Sequence, residues 1–427
     1  MTSESIKLFK AYLDILREEL VPAMGCTEPI AIAFAAAKAR EVLGRKPDRV
    51  LIEASDNIIK NVKSVVVPNT GNLRGIEAAA VTGIVAGNAG KALEVISSVS
   101  DDERKEIKTF LQNKEVTARR LESELIFDLR VTVSDKNSQA SVQISHYHTN
   151  IVLITKNYDV IYKNADCNGL NSTTLTDRSQ LNVGKILEFA DAVKISEVED
   201  LLQLQIDYNM QIAEEGLSGN WGANIGSVLL KNWGDDVKVR AKAMAAAGSD
   251  ARMSGCELPV MIVSGSGNQG IAASVPVICY AKALGVDRES LFRALVVSNL
   301  VTIHLKTGIG RLSAYCGAVS AGVGAGAGIC WLHGGRYEEV AHTIVNALAI
   351  VSGIICDGAK PSCAGKIAAA VEAGLLGFYM YQNGQQFYDG DGIVKKGIEN
   401  TIINVGRLAR DGMHETDKEI IRIMLGE

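Results

Sequence analysis

Residues 317–329 read "GAVSAGVGAGAGI", where two valines, a serine and one isoleucine are the only side chains larger than a methyl group. Glycine inside a helix costs about 1 kcal/mol relative to alanine, so a run this rich in it needs a compensating reason. Close approach is the available one: helices stripped of side chains at a crossing bring their backbones together and fill the gap with main-chain atoms. The segment predicts a tightly packed helical half, and its low complexity is not that of a linker. No fixed-period repeat accompanies it.

Composition shifts twice along the 427 residues. Residues 4–21 and 29–43 carry apolar residues at three- and four-residue spacing and predict helices, with "MGCTEPI" between them. The β-branched content then rises. "RVLIEAS", "VKSVVVP", "LIFDLRVTVS", "ASVQISHYH" and "NIVLITK" read as strands, interrupted by helices near 73–98 and 102–113. A polar stretch at 164–180 reads as a long loop, and beyond it nearly everything reads as helix, including 183–217 and 222–250. The expected fold class is α+β, with an α/β sandwich domain inserted after two N-terminal helices and a large all-helical Ala/Gly-rich domain. The expected divisions are 1–45 for the N-terminal helices, packing with the C-terminal domain, 46–165 for the α+β domain, and 166–427 for the helical domain.

A formal charge of −5 and a pI near 5.8, with no Lys/Arg cluster, give no footprint for nucleic acid. The opening "MTSESIKLFKAYLDILREEL" spreads its charges along an amphipathic helix and is not a signal peptide. The most apolar run, "AHTIVNALAIVSGIIC", falls short of the roughly 20 residues a membrane span needs. A cytoplasmic protein without a membrane partner is expected, its eight cysteines reduced. A homodimer is the base-rate expectation for assembly.

In "PVMIVSGSGNQGIAA", residues 259–273, Gly265, Gly267 and Gly270 spell the dinucleotide fingerprint after a strand-like run. A dinucleotide fold also needs a second strand after the helix, ending in an acidic residue about 20 positions on. The next acidic residue here is Asp287, at what reads as a helix-to-helix turn. An NAD-binding oxidoreductase is therefore a remote alternative. The loop instead offers backbone N–H groups before a helix beginning near 271, suited to a carboxylate for the reason such loops suit phosphate. Ser266, Gly267 and Asn268 are the candidate substrate contacts, and a tight packing turn is the competing reading. A second strand–loop–helix junction, "VVVPNTGNLRGIEAAA", offers Asn69 and Thr70 to a site between domains, or is an ordinary βα turn.

Cys316, Cys356 and Cys363 are spaced C-x39-C-x6-C among glycines and a proline. Three thiolates on a cubane iron–sulfur cluster leave one iron without a protein ligand, able to act as a Lewis acid on a substrate heteroatom. The alternative is three small buried hydrophobes in an Ala/Gly-rich core. A structural zinc site is less natural, since no fourth ligand is evident.

The ordered motifs "GCTEPIAIAFAAA", "NIIKNVKSVVVPNTG", "SGSGNQGIAASVPV", "HLKTGIGRLSAYCGAVSAG", "CDGAKPSCAGK" and "GMHETDKEIIRIM" resemble the L-cysteine desulfidase family, which groups with the iron–sulfur L-serine dehydratase α chains. The likeness runs nearly end to end. It implies a [4Fe–4S] enzyme that cleaves a β-substituted amino acid to pyruvate, ammonia and, from cysteine, sulfide; L-serine is the alternative substrate. The family's three cluster ligands fall on Cys316, Cys356 and Cys363, and its proposed proton acceptor on Cys26.

β-Elimination needs a base for the α-proton and stabilisation of the leaving group. Cys26 sits just before a helix for which Thr27 is a good N-cap and Glu28 and Pro29 suit the first turn. A helix N-terminus favours the thiolate, and Glu28 opposes it. His304 and Lys306 lie about three helical turns before Cys316, in reach of the cluster's surroundings, and Lys306 or Arg311 could pair with a carboxylate. His146 and His148 share a partly apolar strand face and read as core or interface histidines. Cys279 and Cys330 read as core, and Cys167 and Cys256 receive no role.

Overall fold

The computed structural model describes residues 3–164, 175–310 and 312–426. Cys167, Arg311 and most of the polar 164–180 stretch lie outside the described residues. From the N-terminus, α1 (Ser3–Glu19) leads into β1 (Val21–Met24), α2 (Thr27–Leu43), β2 (Arg49–Ala54), α3 (Asp56–Val62), α4 (Ile76–Ala86) and α5 (Asp101–Asn113). Strands β3 (Glu115–Arg120), β4 (Asp128–Ser134), β5 (Gln139–Ser145), β6 (Ile151–Lys156) and β7 (Asp159–Lys163) follow. Then come α6 (Val183–Ala192), α7 (Glu199–Ser218), α8 (Ile225–Trp233), α9 (Val237–Met253) and β8 (Pro259–Ile262). The chain closes with α10 (Gly267–Leu284), α11 (Arg288–Ile309), α12 (Gly317–Leu332), α13 (Tyr337–Ile350), α14 (Cys363–Gln382), α15 (Ile398–Arg407) and α16 (His414–Leu425). The class is α+β, as the composition shift implies.

Six strands form one sheet in the order β3-β2-β4-β5-β6-β7, with β2 and β3 parallel and the remaining pairs antiparallel. Alternation sets its buried face: Leu129, Val131 and Val133 of β4 and Ala140, Val142 and Ile144 of β5 are buried between partly exposed neighbours. The Ala-rich α2 lies on β4 and β5 and crosses α4, where a Cβ on Gly83 would meet the Ala33 carbonyl oxygen at 2.1 Å. Helix α1 instead touches α6 and α11.

The glycine-rich run is α12, and its small residues serve the close approach that the sequence calls for. A Cβ on Gly322 would lie 2.3 Å from the Ala370 carbonyl oxygen of α14, and one on Gly324 would lie 2.1 Å from Thr302 Oγ1 of α11. Two faces of one helix are thus bare, each against a different neighbour. Helix α14 is long and apolar enough to cross a membrane, yet its Ile367, Ala370, Val371, Leu375 and Phe378 are buried and it packs against α9, α12 and α13. One contiguous apolar cluster joins residues of the sheet, such as Val131, to those of the bundle, such as Leu295.

Several element expectations need correction. "VKSVVVP" is not a strand: α3 runs to Val62, and only Val66 makes an isolated bridge, with Arg74. Its valines are apolar because Val65, Val66 and Val67 are buried, not because they pair. Residues 183–217 and 222–250 each split into two helices. Gly234 at φ +87° ends α8, and Asp236 caps α9 by accepting from the Val239 N–H at 3.0 Å. The helix near 73–98 stops at Ala86, followed by a kinked 3₁₀ stretch over Ala89–Glu94. Strands β3 and β7 escaped notice because they lie at the two edges of the sheet and bury little side-chain surface.

Candidate active site

Strand β1 pairs antiparallel with β8, and each runs almost directly into a helix. The first junction is Gly25–Cys26 before α2; the second is residues 263–266 before α10. Gly25 stands at φ +55°, and a Cβ there would fall 2.2 Å from Pro68 Cγ, so only glycine fits beneath the "VVVPNTG" turn. Thr27 Oγ1 donates to the Gly265 carbonyl at 2.9 Å and ties the two junctions together. Helix α2 begins at Thr27, so Cys26, not Thr27, is its N-cap, and its side chain caps nothing. The Cys26 thiol donates to Glu28 Oε2 at 3.1 Å.

Cys316 and Cys356 meet through a short antiparallel bridge centred on Tyr315 and Ile355. The Cys316 N–H donates to the Ile354 carbonyl at 3.0 Å, and the Cys356 N–H to that of Ala314 at 2.6 Å. This pairing closes the 39-residue gap in the sequence pattern. Cys363 opens α14 a few residues on, with its thiol 3.7 Å from the Gly358 carbonyl oxygen. Cys26, Cys316, Cys356 and Cys363 line one cavity of about 100 Å³, together with Glu28, Lys60, Asn61, His148, Arg252, Ser266, Asn268, Gln269 and Lys306.

Four helices, α2, α10, α12 and α14, start at this cavity, and none has its N-terminus capped by a side chain. The positive ends of their dipoles favour negative charge, and the first N–H groups of α14 already donate to the Lys360 and Pro361 carbonyls. The cysteines respond individually. The bond from Cys316 brings Cys356 below the usual thiol range against the cost of burial, with help from Lys60 and the Gly358 N–H, while Cys316 itself is pushed well up. Burial and the Glu28 carboxylate hold Cys26 well above the usual thiol range, against the pull of Arg252. Burial opposes ionisation of Glu28, yet His148, 3.8 Å from Oε1, and the Cys26 thiol outweigh it and bring the carboxyl down to about 2.

The donor set suits a cluster better than a lone ion. Among the described residues, no three His, Cys, Asp or Glu side chains come close enough to hold a single metal. A cubane takes one thiolate at each of three separate corners, which spreads its cysteines farther apart than a tetrahedral ion does. Three thiols that line one cavity from separate chain segments, among helix N-termini, are the donor type such a cluster takes.

Ser266, Asn268 and Lys306 also line the cavity, whereas Gly267 lies behind it as the first residue of α10. The helix thus starts four residues before the expected 271. Gly270 is inside it, and a Cβ there would lie 1.9 Å from the Met261 carbonyl oxygen, so that glycine serves packing. Strand β8 pairs only with β1 and α10 leads to α11, so the parallel strand a dinucleotide fold requires is missing among the described residues.

Three expected substrate contacts lie elsewhere. The Asn69 amide donates to the Ile96 carbonyl at 2.8 Å and the Thr70 hydroxyl to that of Val67 at 2.7 Å, which makes them turn-builders beside a different cavity. His304 Nε2 is 2.7 Å from Glu399 Oε2, and Glu399 Oε1 accepts from the Val183 N–H, so that pair ties α6, α11 and α15. Conversely, His148 lies past the end of β5 in a turn and faces Glu28 instead of sitting in an inert core. Lys60, Asn61 and Arg252 were missed because nothing local marks them. Asn61 donates to Glu28 Oε1 at 3.0 Å.

The chain belongs to the serine dehydratase alpha chain family, which matches residues 90–422. That family makes the chain a serine dehydratase-like lyase. Its relatives include a UPF0597 protein of Desulfitobacterium hafniense strain Y51, 63% identical over 99% of this chain and 98% of that one. A UPF0597 protein of Lachnoclostridium phytofermentans is 52% identical over 98% of this chain and all of its own length. One from Aeromonas hydrophila is 39% identical over 97% and 95%.

Proposed function

We propose that the protein eliminates the β-substituent of a small amino acid, L-cysteine foremost, yielding pyruvate, ammonia and sulfide, with a [4Fe–4S] cluster on Cys316, Cys356 and Cys363. The observation that carries this reading is the gathering of those three thiols with Cys26 around one cavity. When bound, the cluster supplies an iron corner without a protein ligand, a soft Lewis acid matched to a departing sulfur.

The other tasks fall to the chain. Cys26 is the base for the α-proton in its thiolate form, which the helix N-terminus and Arg252 favour and which Glu28, accepting from the thiol at 3.1 Å, holds in check. Asn61 fixes that carboxylate by a bond of 3.0 Å, and His148 stands behind it. The positive ends of the four helix dipoles favour the substrate's negative charge. Loss of the α-proton and the β-substituent leaves an enamine, which water converts to pyruvate and ammonia. Unpaired thiols support a reducing compartment, which this reading places in the cytoplasm.

The family's name favours L-serine as a second reading, with hydroxide as the leaving group at the same carbon. Anaerobic assay of cluster-loaded protein decides between them. Sulfide and pyruvate in equal amounts from L-cysteine, faster than pyruvate from L-serine, is the expected result. The reverse ranking makes it a serine dehydratase, and pyruvate from neither overturns the proposal.

A further inference from the structure

Arg252, in the last turn of α9, is 2% exposed and lines the cavity, and its Nε has no hydrogen-bond partner. Among the described residues no carboxylate pairs with it; Glu28, the acid in the cavity wall, is engaged by Cys26 and Asn61. Its guanidinium rests on the first residue of α10: a Cβ on Gly267 would fall 2.3 Å from Nε and 2.8 Å from Cζ. A buried cation set against an uncapped helix N-terminus places two positive ends together, an arrangement that an anion between them relieves. Close by, Asn268 Oδ1 and Gln269 Oε1 are buried without partners, two acceptors beside the cation.

We infer that Arg252 binds the α-carboxylate of the amino-acid substrate against the N-terminus of α10, while the amide oxygens of Asn268 and Gln269 take its α-ammonium. The guanidinium fork matches a carboxylate bidentately, and an ammonium has only donors to offer. Two-point attachment fixes the Cα–H bond relative to Cys26 and admits α-amino acids with a free carboxylate. Gly267 is required beneath the guanidinium, which gives that glycine of the G-x-G-x-x-G pattern its purpose. The inference rests on the amino-acid lyase reading above and adds the residues that select the substrate.

L-Alanine, which has no β-leaving group, is the probe. Anaerobic calorimetry on cluster-loaded protein compares it with ethylamine, which lacks the carboxylate, and with sulfate. The wild type is expected to bind L-alanine at least about 30-fold more tightly than ethylamine, the scale of one buried charge pair. Arg252→Met is expected to erase that advantage without weakening ethylamine, and Arg252→Lys to lose most of it, since a point charge cannot fork. Unliganded Arg252→Met should melt at or above the wild-type temperature, because it removes a buried, unpaired cation. The assignment falls if the wild type does not bind L-alanine, if Arg252→Met binds it within threefold of wild type, or if that variant melts well below wild type. It falls also if sulfate binds as tightly as L-alanine in an Arg252-dependent way, which makes the site one for any anion. Arg252-dependent binding of L-alanine without pyruvate from cysteine or serine refutes the reaction and keeps the site.

Discussion

Cys26 and Glu28, two residues apart across a helix start, share a proton: the thiol donates to the carboxylate at 3.1 Å, with both groups buried. The negative carboxylate holds the thiol protonated, and replacing it by a neutral amide removes that restraint. Glu28→Gln should lower the pKa of Cys26 and speed its alkylation by iodoacetamide at neutral pH in cluster-free protein, followed by mass spectrometry at that cysteine. An unchanged pH–rate profile would show that Glu28 does not control the thiol.

The same carboxylate makes stability depend on acid. Its folded value of about 2 lies below the ordinary 4.5, so its contribution is complete above pH 4.5 and lost as pH falls from there through 2. Urea midpoints should fall more steeply between pH 5 and 3 for the wild type than for Glu28→Gln. Parallel curves would place the pairing with His148 outside the folding energetics.

Cluster retention separates the four cysteines. Cys316→Ser, Cys356→Ser and Cys363→Ser should each lose iron and the brown absorbance after anaerobic reconstitution. Cys26→Ala should keep both and lose turnover by roughly 10²- to 10⁴-fold, the range of a general base. Iron analysis and visible spectra on the four variants suffice, and a Cys26→Ala protein without iron would reassign that residue to the cluster.

Lys60 and Asp417 form a buried ion pair between α3 and α16 at 2.5 Å, with side-chain exposures of 1% and 14%. Lys60 Nζ also reaches the Cys356 carbonyl at 3.5 Å. Asp417→Asn strands the ammonium, at a cost of about 3–5 kcal/mol, and frees the Cys356 segment it steadies. Urea titration should show the loss, and iron should leave the folded variant faster than the wild type under chelator.

The bare faces of α12 permit a graded test. Gly322→Ala drives a Cβ into the Ala370 carbonyl of α14 and should cost about 1–3 kcal/mol. Gly353→Ala, where a Cβ meets nothing within 4 Å, should stay within about 0.5 kcal/mol of wild type.

The parts of this molecule legible in its sequence are those whose chemistry is local. Alternation in "LIFDLRVTVS" marks β4, and the crowding of glycines in 317–329 announces the helix crossings. Ser266 and Asn268 could be named because a glycine-rich strand–loop–helix junction carries them, whereas Cys26 and the three remaining cavity cysteines were singled out by the family resemblance, their glycine, proline and helix-start neighbours leaving a buried-core reading open. His304 misled: its spacing from Cys316 is helical, but Gly310 ends α11 before the chain turns to the cavity, and the imidazole faces Glu399 on α15. Arg252 and Lys60 were illegible for the opposite reason. Each gains its meaning from what the fold sets against it, the one from Gly267 at the start of the next helix and the other from Asp417 near the far end of the chain.

The β1–β8 ladder joins a strand near the amino end to one well past the middle, and the entire six-stranded sheet lies in the intervening loop. A closure that long is slow, because its entropic penalty is paid before its contacts form. Because both junctions of that ladder open into the cavity, any change that loosens the pairing reaches Cys26 and Ser266 together.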